Sequence, residues 1–195
     1  MFRRFLLAAA LTFAVASPAV AEPKNYTFDK AHTQILFFVN HMGFSNSNGK
    51  FLDFDGGITY DAANPAASSA NITIKTDSLN MDMAKWDEHL KSADFFNTAK
   101  FPTMTFKSTK IEPVDASHAK MTGDLTLLGV TKPVTLDVTL NKCGPNLMSQ
   151  KPQCGFDLAG TIKRSEWGMS GSIPAVGDDV KLMITVEAEE VVAAK

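Results

Sequence analysis

A chain of 195 residues with 45% hydrophobic residues suits a single domain with a substantial core. Its 19 Lys+Arg against 21 Asp+Glu leave a formal charge of -2, which gives no reason to expect nucleic acid or an anionic membrane surface as partner. Two cysteines are too few for a disulfide-dense scaffold or a four-thiolate metal cluster.

The chain opens with the pattern of a secretory signal. Arg3 and Arg4 form a positive start, Phe5 to Ala16 is an apolar run, and Ala19-Val20-Ala21 is a small-x-small cleavage site. The apolar run is short of the roughly 20 residues that span a bilayer. Cleavage after Ala21 removes two arginines and leaves 17 Lys+Arg against 21 Asp+Glu in the mature domain, residues 22–195. No Cys follows the cleavage site to carry a lipid. The expected product is an exported, periplasmic protein with no transmembrane anchor.

Most of the mature chain reads as strand. Gln34 to Asn40 is β-branched and aromatic, apolar on both faces, so its inward phase is either Ile35, Phe37 and Val39 or Leu36 and Phe38. Asn46 to Lys50 and Asp55-Gly56-Gly57 read as polar hairpin connections. Asp61 to Ser69 reads as a small-residue loop. Asn71 to Thr76 then alternates, with Ile72 and Ile74 on one face.

Between Asn80 and Asn97 the period changes. Asn80 or Asp82 can cap a helix of about three turns, along which Met83, Trp86, Leu90 and Ala93 recur at helical spacing. Alternation resumes with Met104 and Phe106, then Met121, Gly123, Leu125 and Leu127. Gly129 to Pro133 reads as a link whose proline opens the next strand, where Val134, Leu136, Val138 and Leu140 share a face. After a loop from Pro145 to Pro152, Phe156, Leu158, Gly160 and Ile162 form a stripe, and Leu182, Ile184 and Val186 another. Period two repeated this often predicts an antiparallel, all-β domain. About eight strands close most simply into a barrel, and a barrel of that size can hold one small ligand, with the amphipathic helix resting on a face or mouth.

An ordered set of motifs runs the length of the mature chain. It comprises His32-Thr33, Phe37-x-Val39-x-His41-x-Gly43, Gly49-x-Phe51, Gly57, Trp86-Asp87-x-His89-Leu90 and Asp94-Phe95-Phe96. Phe101-Pro102-Thr103-Met104-Thr105-Phe106, Gly123-x-Leu125-Thr126-x-x-Gly129-Val130-Thr131-x-Pro133-Val134 and Lys163-Arg164-Ser165-x-Trp167-Gly168-Met169 follow, then Asp178-x-Val180 and Ile184-x-Val186-Glu187-Ala188. In these the chain resembles the YceI-like family, exported lipocalin-like proteins that bind polyisoprenoid lipids. The resemblance implies an extended eight-stranded antiparallel barrel with one inserted helix and an elongated apolar cavity. A long-chain lipid, such as an isoprenoid quinone, would be held there in a binding or carrier role, without catalysis and with no other cofactor. Paired barrels in that family make a homodimer an expectation.

The expected lipid-binding residues are Ile35, Phe37, Val39, His41, Ile72, Ile74, Trp86, Leu90, Phe106, Leu125, Leu136, Arg164 and Trp167. Cys143 and Cys154, just outside their strands, are expected to form a disulfide, the alternative being a reactive thiol pair. Arg164 either recognises a polar head at the cavity mouth or pairs with Asp178 or Asp179 to hold a strand end. The four histidines include no HxH or HxxxH pair, and no metal site is expected. Two other classes stay open. One is a hydrolase or isomerase with His41 or His89 as base, although G-x-S-x-G, H-E-x-x-H and phosphate-loop motifs are missing. The other is a barrel that only binds a protein partner.

Overall fold

The computed structural model describes residues 22–192, so the export signal lies outside the described residues. In chain order these hold β1 (Lys24–Phe28), β2 (Gln34–His41), β3 (Ser45–Phe51), β4 (Phe54–Tyr60), β5 (Ser69–Lys75) and the short β6 (Leu79–Asn80). Helix α1 (Ala84–Lys91) follows, then β7 (Thr103–Pro113), β8 (His118–Leu127), β9 (Val130–Pro145), β10 (Pro152–Lys163) and β11 (Val176–Glu190).

All strand pairs are antiparallel, and the order β1-β4-β5-β7-β8-β9-β10-β11 returns to β1, closing an eight-stranded barrel. The far edge of β11 is divided: Ala188 to Glu190 pair with β1, whereas Val176 to Thr185 pair with β2. β2 carries β3, and β3 carries β6. Thus β1 and β2, β3 and β4, and β5 and β6 are three long strands, each interrupted once. The interruptions adjoin one another. Asp29 N–H donates to Glu187 O at 2.8 Å, Lys75 N–H to Asp53 O at 2.9 Å, and Leu52 N–H to Ser78 O at 3.2 Å. Closure removes the exposed edges a sheet of this size would otherwise present, and the length of β11 extends the barrel.

The alternating stripes explain the inside of the barrel. Ile35, Phe37, Ile74, Met104, Met121, Leu127, Val134, Leu136 and Ile162 are buried in one cluster, while Thr73, Lys75, Thr135 and Asp137 face outward. The phase left open in β2 is settled in favour of Ile35 and Phe37, at 6% and 8% exposure.

Several expected connections are strand. Asn46 to Lys50 lie within β3 and Gly56-Gly57 within β4. The true hairpin turn is Met42-Gly43, both at positive φ. Gly49 belongs in β3 because a side chain there would collide with the Phe37 ring and the Met81 sulfur. Likewise the β8–β9 turn is Leu128-Gly129, at φ of 52° and 75°, and Pro133 sits inside β9 opposite Asp124. Cys143 and Cys154 are inside β9 and β10 as direct cross-strand partners, and they form the disulfide.

The helix is shorter than its apolar period. It spans Ala84 to Lys91, preceded by Met83 as cap residue in place of Asn80 or Asp82. Asp87 ties the incoming chain to the helix, its Oδ1 accepting the Met81 N–H at 2.6 Å. Met83 is exposed, and Met81 takes the buried place the sequence assigned to it. Trp86 and Leu90, one turn apart, face the barrel.

Candidate functional site: an apolar cavity along the barrel

The strands enclose a cavity of about 600 Å³. Its walls come from every long strand. Ile35, Phe37 and Val39 face Ile72 and Ile74, Phe106, Leu125, Leu136 and Val138, Leu158, and Leu182 and Ile184. Glycine makes the space: a side chain at Gly123 would overlap the Phe106 ring, so this ring lies flat against the wall only because residue 123 has none. The cavity reaches both ends of the barrel. His41, Met42, Trp86, His89 and Ala175 border one end; Tyr60, Ser68, Asp115, Ser117 and His118 border the other.

At the helix end, aromatic side chains form a plug. Phe96 packs on Phe37 and Phe51 at centroid distances of 6.3 and 5.6 Å. Trp86 meets the His41 ring edge-on at 6.5 Å, and His89 meets Phe95 at 4.9 Å. Neither histidine contact is with a group that would orient a proton, as a general base requires. At the opposite end, Asp115, Ser117 and His118 are the three residue types of a hydrolytic triad. Both Asp115, at 2.9 Å, and Ser117 Oγ, at 3.3 Å, meet the same ring nitrogen, Nδ1. A triad places them on opposite nitrogens. The group is a hairpin brace. The Ser117 N–H and the His118 ring hold the Asp115 carboxyl down at about 2, well below its ordinary value.

Of the expected site residues, Ile35, Phe37, Val39, His41, Ile72, Ile74, Trp86, Leu90, Phe106, Leu125, Leu136 and Arg164 all border the cavity. Trp167 does not. It is 2% exposed within the core, with its Nε1–H donating to Leu125 O at 3.2 Å. Arg164 borders the cavity, but each of its guanidinium nitrogens donates to a main-chain carbonyl. Nε donates to Gly177 O, Nη1 to Met169 O, and Nη2 to Gly171 O and Val176 O, at 2.8–3.0 Å. It therefore pairs with neither candidate acid: Asp178 accepts from Ser165, and Asp179 from Lys163. Burial works against the Arg164 charge and pushes its pKa down; the four carbonyls compensate.

Sequence reasoning missed Phe28, Ile58 and Tyr60 among the wall residues. They stand in alternating pairs, Tyr26-x-Phe28 and Ile58-x-Tyr60. Adjacent glycines and short strand length masked that pattern.

A closed antiparallel barrel with an apolar interior and one helix at its mouth defines the lipocalin-like class of ligand-holding barrels. Within that class, residues 26–188 match the YceI-like domain model, and the chain belongs to the YceI-like family. It is 41% identical over 181 residues to Protein YceI of Escherichia coli O157:H7, covering 92% of each chain. Among solved structures, a Campylobacter jejuni YCEI protein is 39% identical with a TM-score of 0.71, over 86% of this chain and 98% of that one. BcnA of Burkholderia cenocepacia is 26% identical with a TM-score of 0.73, over 82% and 98%. A polyisoprenoid binding domain from Saccharophagus degradans, 14% identical with a TM-score of 0.62 over 87% and 100%, shares the fold.

Proposed function

We propose that the protein is a periplasmic carrier that holds the tail of a polyisoprenoid or isoprenoid-quinone-like lipid in the barrel. The observation that carries this reading is the 600 Å³ cavity, apolar along its length with polar groups at its two ends. That volume falls within the range of small-molecule sites, and the distribution suits an amphiphile with a long apolar tail. Each 100 Å² of tail removed from water contributes about 2.5 kcal/mol, so binding requires neither a metal nor a covalent bond. The distant Saccharophagus degradans domain, described as polyisoprenoid binding, is consistent with this reading. Export is supported by the Cys143–Cys154 disulfide, and no helix among the described residues is long and apolar enough to cross a membrane.

Native mass spectrometry of protein purified from its own compartment, followed by solvent extraction, tests the proposal. A stoichiometric adduct that extracts as an isoprenoid lipid is expected, and it should be weakened in Ile72→Trp, whose added bulk narrows the cavity while the far-ultraviolet spectrum stays that of a sheet. A folded protein that takes up no long-chain lipid when offered it would overturn the reading. In that event, turnover of a hydrophobic substrate abolished by His41→Ala or His89→Ala would install the enzyme reading. The same spectra count the chains in the assembly.

A further inference from the structure

The residues His32 and Glu187 stand among the sequence motifs, yet neither borders the lipid cavity. They meet on the outer side of the barrel, where the interruption between β1 and β2 crosses β11. Asp29 Oδ2 lies 2.7 Å from His32 Nδ1, and the ligand atoms of Asp29, His32 and Glu187 all fall within 4.8 Å of one another.

The backbone beneath is fixed. Asp29 N–H donates to Glu187 O at 2.8 Å, Thr33 Oγ1 donates to the same oxygen at 3.0 Å, and Glu187 N–H donates back to Thr33 Oγ1 at 3.2 Å. Groups outside the trio orient the two carboxylates. Ala31 N–H holds Asp29 Oδ1, and Gln153 Nε2 holds Glu187 Oε2, with Gln153 itself held by Asn146. Each carboxylate thus has one oxygen anchored and one left to turn toward His32, the outer-shell arrangement that ligating carboxylates have in metal sites. A cleft of about 420 Å³, bordered by His32, Gln153 and Glu187, opens beside the trio and leaves room for water as a fourth ligand.

We propose that Asp29, His32 and Glu187 form a binding site for one first-row divalent cation of the zinc class on the outside of the barrel. One imidazole nitrogen and two carboxylate oxygens are a donor set that such a cation takes with an open position. Tetrahedral zinc at about 2.0–2.2 Å from each ligand sets ligand atoms about 3.4 Å apart. Reaching that spacing requires the Asp29–His32 contact to open and the Glu187 carboxylate to close in, each by about 1 Å, within the reach of side-chain rotation. Two ligands come from the start of the chain and one from its end, a separation that a search for closely spaced pairs passes over.

Titration of the tag-free mature protein with zinc chloride at pH 7.5, followed by calorimetry and by metal content after dialysis, tests this. One zinc per chain is expected. His32→Ala should lose it, and the isosteric Glu187→Gln should weaken it about tenfold or more. Asp137→Asn, at an exposed carboxylate on β9 that borders neither the trio nor the cavity, should bind as the parent does. Because His32 is exposed, His32→Ala should retain the parent's unfolding temperature without metal. A parent protein that takes up no zinc saturably, or a His32→Ala variant that takes up as much, would overturn the site. Neither result bears on the lipid cavity, whose walls none of these residues share.

Discussion

The barrel has two unlike halves. From β7 to β11 the wall is built of five long strands of 10–16 residues, each paired with the next along most of its length. From β1 to β6 the wall is made of shorter segments, with all three long strands interrupted where they adjoin. The first half is held by backbone ladders and a cross-strand disulfide. The second has shorter ladders, joined across the interruptions by single main-chain hydrogen bonds and by side chains: Phe54, almost fully buried, packs against Phe28 across the break, and Lys30 reaches Asp55 at 2.6 Å on the surface. A long ladder tolerates the loss of one contact because its neighbours persist, whereas short ladders leave more of the stability to buried contacts such as Phe54.

The largest expected effect lies where the long-strand half turns back at the helix end. Arg164→Met removes a buried guanidinium that donates to four main-chain carbonyls, Met169 O in a fully buried bond and the others part-buried, and should destabilise the fold by about 3–5 kcal/mol, measured by urea unfolding. Arg164→Lys should recover only part of this, because an ammonium cannot reproduce the planar fork. In the interrupted half, Phe54→Ala should cost about 3–4 kcal/mol. Hydrogen exchange should then rise first in β3, β4 and β5 while β8, β9 and β10 stay protected; uniform loss of protection would erase the distinction between the halves.

Removing the disulfide, as the Cys143→Ser and Cys154→Ser double variant, should cost about 2–3 kcal/mol, because the closed loop is short. Carbonyl-to-amide bonding continues on both sides of this pair, so the hairpin should keep its register, as read by amide shifts. The smallest effect belongs to the β7–β8 turn. Asp115 titrates at about 2 when folded against 3.8 ordinarily, so its brace contributes fully above pH 3.8 and is lost as pH falls through 2. Carboxyl-carbon NMR should place its midpoint near 2, and Ser117→Pro, which removes the donating N–H, should move it upward.

The same contrast governed what could be read from the sequence. Stripes such as Val134, Leu136, Val138 and Leu140 name their face without ambiguity, because each long strand has one dry and one wet side. The strands next to the interruptions were harder to see. Asn46 to Lys50 is polar and holds Gly49, whose side-chain place is taken by the Phe37 ring, and Gly56-Gly57 resembles a turn because the neighbouring backbone occupies the places of their side chains. Trp86 and Leu90 were legible from helical spacing alone. Trp167 was not: a tryptophan beside a charged cluster looks like a cavity mouth, and only the Leu125 carbonyl beneath its ring nitrogen shows it to be core. Arg164 misled similarly, since its four acceptors are main-chain oxygens that no sequence pattern announces.

The divided edge of β11 has a consequence for the order of assembly. A chain delivered from its N-terminus presents β1 and β2 first; they can pair with β4 and β3, yet the other edge of each waits for the last strand, which arrives only after β10. Until then the β7-to-β10 hairpins can form from local contacts, and Cys143 and Cys154 can meet within one of them, but the cylinder stays an open sheet. Closure joins residues from opposite ends of the polypeptide, the slow kind of step that follows local pairing. Until the final strand docks, the apolar inner faces of the sheet line an open trough and not a closed tube.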